Sequence, residues 1–105
     1  MKITSYYTDG CLTLSLGGEL DHHGAREAMG EIRRRIDLYL PRTCIIDMAG
    51  LGFMDSSGIA VVLKTYKSVK ELGGRTAVSN VPRQAMKVLD AAGLDRLLSI
   101  SALAE

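Results

Sequence analysis

The sequence contains no tryptophan, and aromatic residues make up only 5% of its 105 residues. A chain this poor in aromatic side chains lacks the platforms on which single-stranded nucleic acids stack. Its charges also nearly cancel, because 13 basic residues oppose 12 acidic ones and leave a net charge of +1. We therefore expect neither direct binding of nucleic acid nor attachment to an anionic membrane.

Long apolar segments and paired cysteines are also absent from the sequence. No apolar run reaches the roughly 18 residues that a membrane span needs, and the first ten residues contain no apolar segment of signal-peptide length. The two cysteines, Cys11 and Cys44, lie in separate strand-like runs and not in a C-x-x-C pair. We therefore expect a cytoplasmic protein with reduced, buried thiols.

The sequence is rich in aliphatic residues. Hydrophobic residues make up 47% of the sequence, which is enough to build the core of one domain of ordinary size. No linker, internal repeat or low-complexity segment divides the chain. We therefore expect residues 1–105 to form a single domain.

The hydrophobic pattern predicts strands and helices in alternation. Apolar and polar side chains alternate over residues 11–17, as they do in a half-buried strand, and Asp9-Gly10 is a hairpin turn signal. Asp21 stands where it can cap a helix. Strands are predicted at 3–7, 11–17, 43–48 and 75–79, and helices at 22–39, from 58 to 73 and from an Asn80 cap to Gly93. A short last segment at 94–100 is a candidate edge strand, and a helical or frayed tail follows it.

This order of elements predicts an α/β fold: a small single-layer mixed sheet, with a leading hairpin and then parallel β-α-β units, covered by helices. Parallel strands joined through a helix cross over right-handedly. Their strand-to-helix turns gather at the carboxyl ends of the strands, where ligands bind. We therefore expect Asp21, Asp55 and Ser56 to lie on one edge of the molecule.

The segment GFMDSSGIAVV, residues 52–62, raises a question because Asp55, Ser56 and Ser57 precede the second helix together. A single cap residue satisfies a helix start and contributes ~1 kcal/mol, so capping alone does not explain the cluster. Gly58 costs roughly 1 kcal/mol relative to alanine in a helix, and it removes side-chain bulk beside the serines. The cluster therefore indicates a surface that a partner approaches closely.

A helical wheel of the second helix supports such a surface. Ile59, Val62, Leu63 and Tyr66 define the predicted buried face, and Val61 falls nearly opposite them among polar residues. An exposed valine near the serines is consistent with a contact surface at the start of this helix. The wheel also points Ser57 outward more clearly than Ser56, so the pattern leaves both serines open.

Enzyme chemistry requires more than these residues supply. The ELDHH segment, residues 19–23, resembles Asp-His-His of metal-dependent phosphoesterases, but those sites need several further carboxylates to hold two metals about 4 Å apart. The nucleophile elbow G-x-S-x-G and the phosphate-binding P-loop are both missing. We therefore predict no metal, no cofactor and no catalysis, and keep a small hydrolase built on Asp21, His22, His23 and Ser56 as the alternative.

Two segments in this order, GELDHH (18–23) and FMDSSGIAVVLKTYK (53–67), resemble motifs of the bacterial anti-sigma-factor antagonists. These proteins belong to the sulfate-transporter-and-antagonist (STAS) domain family. The segment 73–98 also fits the strand-helix ending of that family, so the resemblance covers essentially the whole chain and implies a single STAS domain. The near-intact LDHH and MDSSG favour the sporulation type, which acts on the anti-sigma F factor, over a stress-response antagonist with another sigma factor.

The resemblance also implies a mechanism. In this family the unphosphorylated antagonist binds an anti-sigma factor that is also a serine kinase, which releases the sigma factor. The kinase then phosphorylates the first serine after the motif aspartate, here Ser56, and a serine phosphatase removes the phosphate. Asp21 carries over from the motif as a partner-contact or turn-fixing residue. The partner-binding residues predicted on these grounds and on the wheel are Asp21, Asp55, Ser57, Gly58 and Val61.

Overall fold

A computed structural model describes residues 1–104. Within that range, strands and α-helices alternate after an initial hairpin. The elements are β1 Lys2–Thr8, β2 Cys11–Leu20, α1 His22–Tyr39, β3 Thr43–Met54, α2 Ser57–Glu71, β4 Arg75–Val81, α3 Arg83–Ala91 and β5 Ser99–Ala102, with a 3-10 turn at Leu94–Arg96 between α3 and β5.

The strands form one mixed sheet in the order β1-β2-β3-β4-β5. The β1–β2 pair is antiparallel and the other three pairs are parallel, as the hairpin and the β-α-β order predict. Asp9 and Gly10 join β1 to β2 with φ angles of 48° and 80°, the left-handed conformations that tight hairpins require. Because neighbouring parallel strands follow one another in sequence, right-handed crossovers place α1, α2 and α3 on the same face.

The core lies between that face of the sheet and the helices. Leu12, Leu14 and Leu16 of β2 are at most 1% exposed, and Ile46 and Met48 of β3 are fully buried. The residues between them in both strands keep partial exposure. Each buried aliphatic side chain contributes ~1.5–3 kcal/mol, whereas the other face of the sheet stays open to solvent.

Strands β2 and β3 extend beyond their predicted ends. Residues 18–20 and 49–54, which follow the strands predicted at 11–17 and 43–48, are strand as well, and the pairing of β2 with β3 continues as far as Leu20 opposite Met54. Glycines in both segments interrupt the apolar alternation and so conceal the strands. At Gly50 the strands approach so closely that a Cβ would lie 3.2 Å from the carbonyl oxygen of Leu16, which explains why these strand ends contain glycine.

The predicted Asn80 cap is wrong. Asn80 lies in β4 with a φ of 54°, and its side-chain amide donates to Asp47 Oδ1 at 3.1 Å. The strand continues to Val81, which is 1% exposed and belongs to the core. Helix α3 therefore begins only after Pro82, without a side-chain cap.

The C-terminal segment contains the edge strand expected there, but later in the chain than 94–100. Its first residues form the 3-10 turn, and β5 follows at Ser99–Ala102 at the edge of the sheet, so the strand extends into the predicted tail. Residue 105, where that tail ends, lies outside the described residues. Over residues 1–104, none of the helices combines the length and hydropathy of a membrane span.

The cysteines occupy different environments. Cys44 is fully buried, and loss of solvation raises the pKa of its thiol to about 12. Cys11 is half-buried, and both thiols are free. Burial is thus confirmed for Cys44 and only in part for Cys11.

Candidate functional site

The predicted edge forms where β2 and β3 end side by side. Leu20 and Met54 are partners in the sheet register, and the chain leaves β2 into Asp21 and β3 into Asp55. The two turns are joined directly, because the backbone N–H of Asp55 donates to the Leu20 carbonyl at 3.3 Å. The structure therefore brings Asp21, Asp55 and Ser56 to one edge of the sheet, as expected.

Asp21 fixes the first of these turns. It precedes α1 with an extended backbone, and its Oδ1 accepts a hydrogen bond from the backbone N–H of Gly24 at 2.8 Å. An N-cap of this kind contributes ~1 kcal/mol. Of the two roles expected for Asp21, the structure shows the turn-fixing one.

Asp55, and not either serine, caps α2. Its Oδ1 accepts from the backbone N–H of Ser57 at 2.8 Å, and its carbonyl accepts from the N–H of Gly58 at 3.0 Å. The Ser56 side chain makes no capping hydrogen bond and is exposed, whereas Ser57 is half-buried. The geometry therefore favours Ser56 as the accessible hydroxyl, a choice that the helical wheel did not make.

The predicted exposure of Val61 is wrong. Val61 is 1% exposed, because α2 packs against α1 as well as against the sheet and buries a wider arc than a wheel with one apolar face implies. Of the predicted buried face, Val62 is fully buried, as expected, whereas Ile59, Leu63 and Tyr66 are half-buried and pack against the core. Val61 therefore contributes to the core and cannot contact a partner.

The predicted role of Gly58 is also wrong. A Cβ at this position would lie 2.7 Å from Met54 Cγ and 3.0 Å from Leu20 Cδ2. The space beside Gly58 is filled by the ends of β2 and β3 and is not open to a partner. Glycine instead allows the first turn of α2 to sit directly on these strand ends, which places Ser56 at the edge.

A groove of about 500 Å³ lies between the start of α2 and α3. Ser56 and Lys87 line it together with apolar side chains such as Ile59 and Val88. Gln84, also in the lining, donates to the Met54 carbonyl at 2.7 Å and accepts from the Met54 N–H at 2.8 Å. These two bonds hold α3 against the end of β3. Neither Gln84 nor the groove was predicted from the sequence, since no local pattern shows where α3 docks.

Within residues 1–104, neither histidine of α1 forms a hydrogen bond to Asp21, Asp55 or Ser56. His23 Nε2 lies 3.1 Å from Glu27 Oε1 of the next turn, and the His23 side chain is 87% exposed. His22 is exposed as well. Across residues 1–104, no three His, Cys, Asp or Glu side chains come together as metal ligands.

Residues 2–103 match the model of the STAS domain. The chain belongs to the STAS domain family. This STAS domain is 32% identical to an anti-sigma F factor antagonist of Paenibacillus polymyxa, over 95% of this chain and 86% of the relative. It is 31% identical to an anti-sigma-B factor antagonist of Bacillus subtilis, over 90% of this chain and 84% of the relative.

Solved structures agree with the family assignment. The unphosphorylated anti-sigma factor antagonist SpoIIAA superimposes on this STAS domain with a TM-score of 0.80 at 28% identity, over 94% of this chain and 87% of that one. The phosphorylated form of the Bacillus cell fate determinant SpoIIAA gives a TM-score of 0.72 at 29% identity, over 94% and 90%. The predicted fold class, a small mixed sheet covered by helices, is confirmed.

Proposed function

We propose that this STAS domain is an anti-sigma-factor antagonist and that phosphorylation of Ser56 switches off its binding to an anti-sigma factor. The observation that carries the proposal is the exposed Ser56 hydroxyl, which is free of any capping role because Asp55 caps α2 in its place. Relatives named as anti-sigma-factor antagonists support the activity. SpoIIAA, which shares the fold, has been solved in phosphorylated and unphosphorylated forms.

A phosphate on Ser56 is compatible with the fold. It adds about −1.5 to −2 charge and three acceptor oxygens. Ser56 stands at the start of α2, where the positive end of the helix dipole favours an anion. The hydroxyl is exposed, so the phosphate meets solvent and not the core. We therefore expect the domain to stay folded when it is phosphorylated.

Docking of a partner responds differently to the same charge. Asp21 and Asp55 already make this edge acidic, and a dianion pressed against a dry or acidic partner surface loses its hydration without compensation. We propose that the docking surface consists of this edge, with Asp21, Asp55 and Ser57 around Ser56 and with Phe53, which is 40% exposed. Gly58 and Val61 support it from within.

The proposed partners are an anti-sigma factor that is also a serine kinase, and a serine phosphatase that restores the binding form. Sporulation control is proposed over stress response on the LDHH and MDSSG motifs. The identities of 32% to an anti-sigma F antagonist and 31% to an anti-sigma-B antagonist are nearly equal. Binding measured side by side against an anti-sigma F factor and an anti-sigma-B factor tests this choice, with tighter binding expected to the former.

The phosphorylation itself is tested with the kinase and ATP, followed by mass spectrometry of the modified peptide. We expect Ser56→Ala to bind the anti-sigma factor but to accept no phosphate, and the matched Ser57→Ala variant to be phosphorylated. Phosphate found on Ser57, or a Ser56→Asp variant that binds as tightly as the parent, contradicts the proposal. Turnover of an ester substrate that Ser56→Ala abolishes would favour the hydrolase alternative.

A further inference from the structure

The groove between α2 and α3 contains a lysine with no ionic partner. Lys87 is exposed, and within residues 1–104 its ammonium takes part in no ion pair. It is also the one cationic side chain lining this groove in the described part of the chain. Ser56 lines the same groove from the opposite side. An unpaired cation thus shares a groove with the hydroxyl proposed to be phosphorylated.

We infer that Lys87 is the counter-ion that holds the phosphoryl group of phosphorylated Ser56 against the α2–α3 groove. The inference rests on the proposed phosphorylation and adds where the phosphate goes. A phosphoserine offers three acceptor oxygens, and a lysine is a compact cation on a flexible stem. Both partners are free in the unmodified protein, so the pair forms without breaking another side-chain contact.

The charges around Ser56 favour a phosphoryl group that turns toward Lys87 over one that turns toward the sheet edge. Asp55 directly precedes Ser56, and Asp21 lies in the neighbouring turn, so both carboxylates repel a phosphate. The lysine on α3 attracts it. Asp90 follows Lys87 by one helical turn and is exposed, yet the two form no ion pair. The phosphate is therefore drawn across the groove toward α3.

The ion pair has a consequence for docking. In the unmodified domain, Ile59 and Val88 leave the groove open and apolar on both walls. Once Lys87 and the phosphate meet, a hydrated ion pair occupies the mouth of the groove. Phosphorylation then closes this part of the surface in addition to placing charge on it.

The test uses the full chain with phosphoserine introduced at position 56 during translation, which makes it independent of any kinase. Titration by ³¹P NMR gives the second pKa of the phosphoserine. We expect it to be lower by about 0.5 in the parent than in Lys87→Met, since a nearby cation favours the dianion. Lys87→Arg should match the parent. The control variant is Lys67→Met, because Lys67 is an exposed lysine near the far end of α2. Its phosphoserine pKa should equal that of the parent.

The phosphoserine pKa values of these variants either support or overturn the proposed ion pair. The same pKa in the parent and in Lys87→Met overturns the inference, and so does a rise in Lys67→Met as large as that in Lys87→Met. Neither result affects the proposed phosphorylation, which mass spectrometry with the kinase tests separately. A kinase that modifies another residue would overturn the proposed function, whereas the titration would still report on the groove.

Discussion

Replacement of Gly58 by alanine separates two effects that act in opposite directions. Alanine is a better helix former than glycine by roughly 1 kcal/mol, so propensity alone predicts a more stable domain. The structure predicts the reverse, because the added methyl would lie 2.7 Å from Met54 Cγ and 3.0 Å from Leu20 Cδ2. Both neighbours are fully buried, so neither can swing into solvent.

The size of the expected change in the free energy of unfolding follows from this crowding. Forcing an extra carbon into a packed core costs ~1–3 kcal/mol, and the propensity gain offsets roughly 1 kcal/mol of that. We expect Gly58→Ala to lower the free energy of unfolding by about 1 kcal/mol. Gly30, exposed in α1, is the matched control, since no atom lies within 4 Å of a Cβ built there. Gly30→Ala should raise the free energy of unfolding by roughly 1 kcal/mol.

Urea denaturation followed by circular dichroism measures both variants against the parent, with equal slopes as the check that the transition stays two-state. A Gly58→Ala variant as stabilised as Gly30→Ala would refute the reasoning, because it would mean that the start of α2 does not press on the ends of β2 and β3. The placement of Ser56 described above would then lose its structural basis.

Three further predictions concern the same region and the core. Asp55→Ala should lower the free energy of unfolding by ~1 kcal/mol in urea denaturation, because the N–H of Ser57 loses its cap. Gln84→Ala should cost about 1–3 kcal/mol in the same assay, since the polar groups of Met54 lose both bonds to α3. With a thiol pKa raised from 9.0 to about 12, Cys44 favours folding fully below pH 9, and this contribution is lost as the pH rises toward 12. The Cys44→Ala variant should therefore show a weaker fall of stability over that range in melts recorded as a function of pH.

Local sequence signals were sufficient to predict the first helix and the order of strands and helices. Asp21 followed by apolar residues at helical spacing predicts α1 at 22–39, and the structure has it at His22–Tyr39. The hairpin at Asp9-Gly10 was equally clear, because its turn chemistry is local. The sheet and the meeting of two turns at one edge follow from that order by the handedness of crossovers.

The errors arise where tertiary packing overrides local preference. Asn80 has the composition of a cap, but a buried Val81 and the bond to Asp47 keep it in β4. Val61 looked exposed because a wheel shows one helix and not the second helix packed beside it. Gly58 looked like room for a partner because a sequence does not show that Met54 fills the space.

Asp55 caps α2 while the Ser56 side chain makes no capping bond, and this difference has a practical consequence. Since the carboxylate of the first secures the helix start, the side chain of the second can be exchanged freely without loosening the scaffold. A saturation library at this one codon, scored for capture of a labelled anti-sigma factor, would therefore report on recognition with little contribution from misfolding.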